Sequence, residues 1–310
     1  MDPLKPARVN IREVSLRDGL QILRSVVPTA TKLAWLQAAY GAGLRQIEAG
    51  SFVPPKLLPQ MADTAEVVQF AKTLPDLQVS VLVPNLRGAE RALESQADLM
   101  VLPASASAAH SQANLRKTPG EVVAELARMR AARDAAGART LIGGGIGTAF
   151  GCTLQGRVEP AAVLRLMQGL LDAGADSVSI ADTVGYADPD AVSRLFEQAL
   201  RIAGPRLRSA HFHDTRGLGL ANVYAAMRVG VTSFDGCLAG IGGCPHAPGA
   251  SGNVNTEDMA YLFQSMGVAT GLDLQGLLAL RERIVGWLDG APTCGAIWRA
   301  GLPKGLEAVA

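Results

Sequence analysis

The feature that most limits what this chain can fold into is a repeated alternation. Short apolar runs recur along its length, and most are followed by a longer stretch with helical spacing of its hydrophobic residues. The runs are "VNIREVS", "RQIEAG", "VSVLVP", "DLMVLP", "TLIGGGIGTAF", "SVSIAD", "SAHFHD" and "SFDGCLAG". Between them lie segments such as "TKLAWLQAAYGAG", "PGEVVAELARMRAARDAAG" and "DPDAVSRLFEQALRIAG", many ending in the glycine that a left-handed helix C-cap prefers. Eight strands alternating with helices predict a closed parallel barrel, the TIM (β/α)8 architecture, rather than an open sheet. No linker or composition break divides the 310 residues. The expectation is therefore one domain over 1–310, with the barrel at about 8–270 and a short helical extension at about 271–310.

Composition narrows the function. Hydrophobic residues make up 48% and aromatics 5%, so the core is built from Ala, Val, Leu and Ile. Lys and Arg number 29 against 28 Asp and Glu, which leaves no electrostatic footprint for a nucleic-acid partner. No apolar run is long enough to span a membrane, and "MDPLKPARVNIREV" lacks the apolar stretch of a secretory signal. Cys152, Cys237, Cys244 and Cys294 form no CxxC pair or disulfide-like framework, so a cytoplasmic location is expected.

In such a barrel, chemistry gathers at the C-terminal ends of the strands, where the following loops converge. The first strand runs into "SLRDG" with Arg17 and Asp18, the second carries Glu48, and the sixth ends at Asp182. The seventh delivers "HFHD". Residues i and i+2 on a strand share a face, so His211 and His213 can both turn inward and grip one ion. With Asp18 and the amide oxygen of Asn253 they make a mixed N/O set that favours octahedral Mg²⁺ or Mn²⁺ and leaves positions for substrate oxygens. Zinc prefers tetrahedral sites rich in Cys and His, while non-haem iron also uses two histidines and a carboxylate. "GGGIGTAFG", Gly143 to Gly151, fits no dinucleotide-binding pattern and reads as a strand with small residues facing the barrel axis. The loop "IGGCPHAPGASGNVNTED", Ile241 to Asp258, is glycine-rich and carries a thiol at a position poorly suited to a core cysteine.

"REVSLRDGLQ", "IEAGSFVPPKLLPQMAD", "HFHDTRGLGLAN" and "AGIGGCPHAPGASGNVNTED" together resemble the 3-hydroxy-3-methylglutaryl-CoA lyase family. The resemblance runs from about residue 8 to about residue 290, and the cysteine loop is its most specific element. It implies metal-dependent retro-Claisen cleavage of 3-hydroxy-3-methylglutaryl-CoA or a related 3-hydroxyacyl-CoA to acetyl-CoA and a keto acid. It further implies Asp18, His211, His213 and Asn253 as metal ligands, and Arg17 as the cation that steadies the enolate oxygen. Cys244 matches the catalytic cysteine, Glu48 and Asp182 the acidic residues around the site, and Gln21 a substrate-side glutamine. A homo-oligomer, specifically a dimer, is implied as well.

The chain departs from the family pattern at Ser15-Leu16, at Ala106-Ser107-Ala108, at Cys152 to Gly156, and at Arg216 and His246. Gly143 and Gly145 stand where the family carries an arginine and an aromatic, so an acyl group of different size is expected to fit. Two other readings stand beside the lyase: a condensing synthase joining acetyl-CoA to a 2-oxo acid, and a metal-binding barrel without catalysis.

Overall fold

The computed structural model describes residues 5–243, 252–288 and 290–306. Eight parallel strands close into a barrel in the order β1 to β8. They are β1 (Asn10–Glu13), β2 (Gln46–Ser51), β3 (Gln78–Leu82), β4 (Leu99–Ser105), β5 (Leu141–Gly147), β6 (Ser177–Asp182), β7 (Leu207–Phe212) and β8 (Ser233–Gly236). Each lies within or beside one of the apolar runs. The barrel closes where β1 pairs with β8, Asn10 opposite Ser233 through Glu13 opposite Gly236.

The helices that follow β1, β2 and β3 are α1 (Thr29–Gly41), α2 (Thr64–Ala71) and α3 (Leu86–Glu94). Two helices, α4 (Ala108–Leu115) and α5 (Pro119–Ala135), connect β4 to β5. Then come α6 (Pro160–Asp172), α7 (Pro189–Ala203), α8 (Gly219–Arg228) and α9 (Thr256–Ser265). Local chemistry sets several of their starts. Thr118 and Glu121 form a reciprocal capping box on α5, and Asp188 and Asn255 accept backbone N–H groups at the starts of α7 and α9. The extension after the barrel is α10 (Leu274–Trp287) and the short α11 (Ile297–Ala300), with Trp287 stacking 6.2 Å from Trp35 of α1. Among the described residues, no helix is long and apolar enough to cross a membrane.

The strand period of two sorts the core into two layers. Val79, Val81, Met100, Leu102, Ile142, Ile146, Val178 and Ile180 are buried beneath the helices. The alternate residues face the barrel axis. A Cβ on Gly144 would press on Leu170 of α6, whereas one on Gly143 would meet Leu99, Val101 and Ser177, and one on Gly145 would meet Val101 and Ser179. The expectation of small residues facing the axis on β5 is met. Gly143, however, is buried against Leu99 and Val101, and Ala108 is an exposed residue opening α4. Gly145, facing the same axis, is only half-buried.

Candidate active site

At the end of β1 the backbone winds through a single π-helical turn, Ser15–Gly19. Such turns cluster at functional sites because they displace side chains from regular helical directions. Here the turn sets Arg17 and Asp18 side by side, with their side chains hydrogen-bonded to each other. On β2 the register against β3 shifts between Glu48 and Gly50, an irregularity of the kind that re-aims a side chain. Glu48 Oε2 accepts from Arg17 Nε at 2.7 Å.

At the end of β7, His211 and, just beyond the strand, His213 face the same side, their Nε2 atoms 3.1 Å apart. One ligand atom each from Asp18, His211 and His213 lies within 4.8 Å of the other two. Ligands at about 2.1 Å from an octahedral ion would be separated by about 3 Å when adjacent, so little movement would close this group on a metal. Asn253 joins it through a bridge to His213, and its Nδ2 donates to Asp18 Oδ2 at 2.7 Å. Asn253 Oδ1 is buried and without a hydrogen-bond partner, an acceptor that a cation held by this donor set would satisfy. The residues fit a divalent metal.

The electrostatics of Asp18 and His213 agree with ligation. Burial alone would raise the Asp18 carboxyl, but Arg17 and the two imidazoles bring it below its ordinary value, so it is ionised. Burial opposes charge on His211 too, yet Asp235 and Asp18 raise it above its ordinary value, so a metal bound there would displace its proton. His213 is pushed down to about 3 by burial and by the nearby His211, which keeps its ring neutral. His211 Nδ1 lies 3.2 Å from Asp235 Oδ2, so its Nε2 is left for the centre.

Asp235 and its partner Arg12 were missed by sequence reasoning. Arg12 Nε and its terminal nitrogen reach the two Asp235 oxygens at 2.9 and 2.7 Å, a buried bidentate pair behind the histidines. The available signal was a charge in the middle of a barrel strand in both "NIRE" and "SFDG". Glu13 was also missed. Its buried carboxylate accepts from Ser15 N, Leu238 N and Thr256 Oγ1, so it ties the first-strand turn to both roots of the glycine-rich loop.

Two further expected site residues make hydrogen bonds to the protein. Both Asp182 oxygens accept backbone N–H groups, from Tyr186 at 2.9 Å and Ala187 at 3.0 Å, so its carboxylate organises the loop after β6. Gln21 is half-buried and donates to Asp18 Oδ1 at 2.8 Å. Cys244 and His246 lie outside the described residues.

The model of the HMGL-like family matches residues 8–284. The chain belongs to the HMGL-like family. It is 40% identical over 286 residues to a 3-hydroxy-3-isohexenylglutaryl-CoA/hydroxy-methylglutaryl-CoA lyase of Pseudomonas aeruginosa, covering 90% of this chain and 92% of that one. It is 38% identical over 280 residues to the mitochondrial hydroxymethylglutaryl-CoA lyase of Arabidopsis thaliana, covering 90% of this chain but 59% of that longer protein. Among solved HMGL-like structures it superimposes with a TM-score of 0.91 on an HMG-CoA lyase from Acinetobacter baumannii in complex with coenzyme A and 3-methylmalate. That alignment is 38% identical and covers 98% of both chains.

Proposed function

We propose that this chain is a carbon–carbon lyase that cleaves 3-hydroxy-3-methylglutaryl-CoA, or a closely related 3-hydroxyacyl-CoA, to acetyl-CoA and a keto acid. The observation that carries the reading is the cation Arg17 fixed by Glu48 and Asp18 at the edge of a metal-competent group of Asp18, His211, His213 and Asn253. The names of the relatives and the coenzyme A complex of the Acinetobacter enzyme support an acyl-CoA substrate. The donor set favours Mg²⁺ or Mn²⁺. When bound by Asp18, His211, His213 and Asn253, a divalent metal would supply Lewis acidity to the substrate's oxygens.

The protein's own groups supply the rest. As the C2–C3 bond breaks, the C3 hydroxyl gives its proton to solvent, C3 becomes the ketone of the departing keto acid, and the bonding pair moves into a thioester enolate. Arg17, directed by its two carboxylate partners, answers the negative charge that appears on the thioester oxygen only at that stage. Glu48 fixes the Arg17 guanidinium through Nε and is assigned to orienting it. The enolate carbon must then take up a proton, for which Cys244 is the assigned donor. Gln21, bonded to Asp18 on the substrate side, orients that carboxylate, and Asp182 shapes the mouth through its loop. The same reading includes a cytoplasmic, dimeric enzyme.

The test is release of acetyl-CoA from a series of 3-hydroxyacyl-CoAs with Mg²⁺ or Mn²⁺. Cleavage of 3-hydroxy-3-methylglutaryl-CoA or a homologue with a larger 3-substituent is expected. Failure to release acetyl-CoA from every member with either metal overturns the proposal.

A further inference from the structure

Beyond α10, the segment Cys294–Ile297 lies against both roots of the glycine-rich loop. On the root leaving β8, the Cys294 N–H donates to Ala239 O at 2.9 Å and the thiol to Gly240 O at 3.4 Å. The fit is close: a Cβ on Gly240 would overlap the Cys294 sulfur. On the root entering α9, Cys294 O accepts from Asn255 Nδ2 at 3.2 Å. The two Asp258 oxygens accept from the Ala296 and Ile297 N–H groups at 2.7 and 2.8 Å. Asn253 sits between these roots. Its Nδ2 donates to Ile241 O at 3.2 Å, one residue beyond Gly240, and it stands two residues before Asn255.

The first root is also strained. Ala239 has φ 61° and ψ 8°, a left-handed conformation that its Cβ disfavours. Such a conformation persists only where the surroundings over-determine it. Here the Ala239 N–H is held by Glu257 Oε1 at 3.0 Å while its carbonyl is held by Cys294. Glu257 is buried and pairs with the buried Arg281 of α10 at 3.3 Å. The Arg281 guanidinium in turn lies 4.9 Å from the ring centre of Trp298, the residue that follows this segment. The same short piece of chain thus fixes the strained root directly and through the Glu257–Arg281 pair.

We propose that Cys294–Trp298 is a strap that positions the Asn253 amide oxygen for the metal. Its residues touch neither metal nor substrate, so they are positioning residues, and the inference rests on Asn253 being a ligand. Released from the strap, Ala239 can leave its left-handed conformation. The Ile241 carbonyl and the Asn255 side chain then no longer set the height and direction of Asn253, and a preorganised ligand becomes one that must be ordered on binding. Partners of this kind around a metal site change affinity by about 10–100-fold.

Asp258→Ala and Trp298→Ala release the strap at two separate points without altering a proposed ligand, and Asp258→Asn keeps one acceptor oxygen. Calorimetric titration of Mn²⁺ into the metal-free protein should show affinity weakened at least ~10-fold in Asp258→Ala, about 1.4 kcal/mol. Trp298→Ala should move in the same direction, and Asp258→Asn should recover part of the loss. Hydrogen exchange should rise in peptides covering 237–243 and 252–256, with β1 to β7 unchanged. Asn253→Ala separates the two ideas. If it binds Mn²⁺ like the unaltered protein, the ligand assignment fails. If it weakens binding while both strap variants bind normally, the strap alone is overturned. Faster exchange throughout the barrel in both strap variants would also overturn it, because the segment would then serve general stability.

Discussion

The pair Arg12–Asp235 shows how one contact links stability to the site. Both side chains are buried, and Asp235 also faces His211 Nδ1. Removing one member of such a pair strands a charge in the interior, so Asp235→Ala should lose about 3–5 kcal/mol in denaturant unfolding. Burial pushes the Asp235 carboxyl up, but Arg12 and His211 together hold it far below the usual carboxylate range. Its stabilising contribution is therefore complete above the unfolded value of about 4 and is lost as pH falls through the lower folded value. Melting temperature followed from pH 6 to pH 2 should fall in the unaltered protein, and Asp235→Asn, which cannot titrate, should show a shallower fall. An unchanged slope would mean that other carboxylates dominate acid unfolding. Arg17→Gln tests a different kind of contribution. Turnover should drop about 10²–10³-fold, the effect of losing one transition-state donor, with metal content near normal. A rise in KM alone would mark Arg17 as a uniform substrate binder. At this scale "RDG" and "HFH" were legible because strand ends and the period of two place them without tertiary detail. Asp235, Glu13 and Glu257 were not, since a lone acidic residue beside apolar neighbours carries no sign of the partner that neutralises it. Asp182 was legible as a mouth residue, but only the fold reveals that two backbone N–H groups take up its oxygens.

The strands and helices divide into those that build the site and those that only support it. Thr118 caps α5 through its box with Glu121. Thr118→Ala should cost about 1 kcal/mol of stability and leave kcat/KM unaltered, as measured by unfolding and initial rates. The inward, half-buried face of β5 is different. Gly145 pairs with Pro103 on one side and Ser179 on the other, and a side chain there would project past Val101 toward the axis. If this face receives the acyl group, Gly145→Val should lower kcat/KM for bulky 3-hydroxyacyl-CoAs relative to 3-hydroxy-3-methylglutaryl-CoA by about 10–200-fold, the effect of a methylene-sized change in a pocket. An unchanged ranking of substrates would remove Gly145 from the pocket. All eight strands were legible because each is an apolar run bounded by turn residues. The contribution of the extension was not. Its grip on Ala239 and Asp258 is made by backbone groups, which sequence patterns do not distinguish.

At the scale of the molecule, a closed barrel brings residues far apart in sequence to one mouth. Asp18 follows β1, the histidines lie on and just beyond β7, and Asn253 follows the loop after β8. The adjacency of β8 to β1 that completes the ring also completes the ligand set. The central claim is that this set, loaded with one divalent ion, cleaves the carbon–carbon bond. The most direct measurement titrates Mn²⁺ into chelator-treated enzyme while following acetyl-CoA release from 3-hydroxy-3-methylglutaryl-CoA, beside a His211→Ala/His213→Ala double variant. Cleavage should rise with metal to a plateau at about one ion per chain, and the double variant should neither retain metal nor release acetyl-CoA. Full activity in the metal-free enzyme, or stoichiometric metal retained by the double variant, would contradict the account.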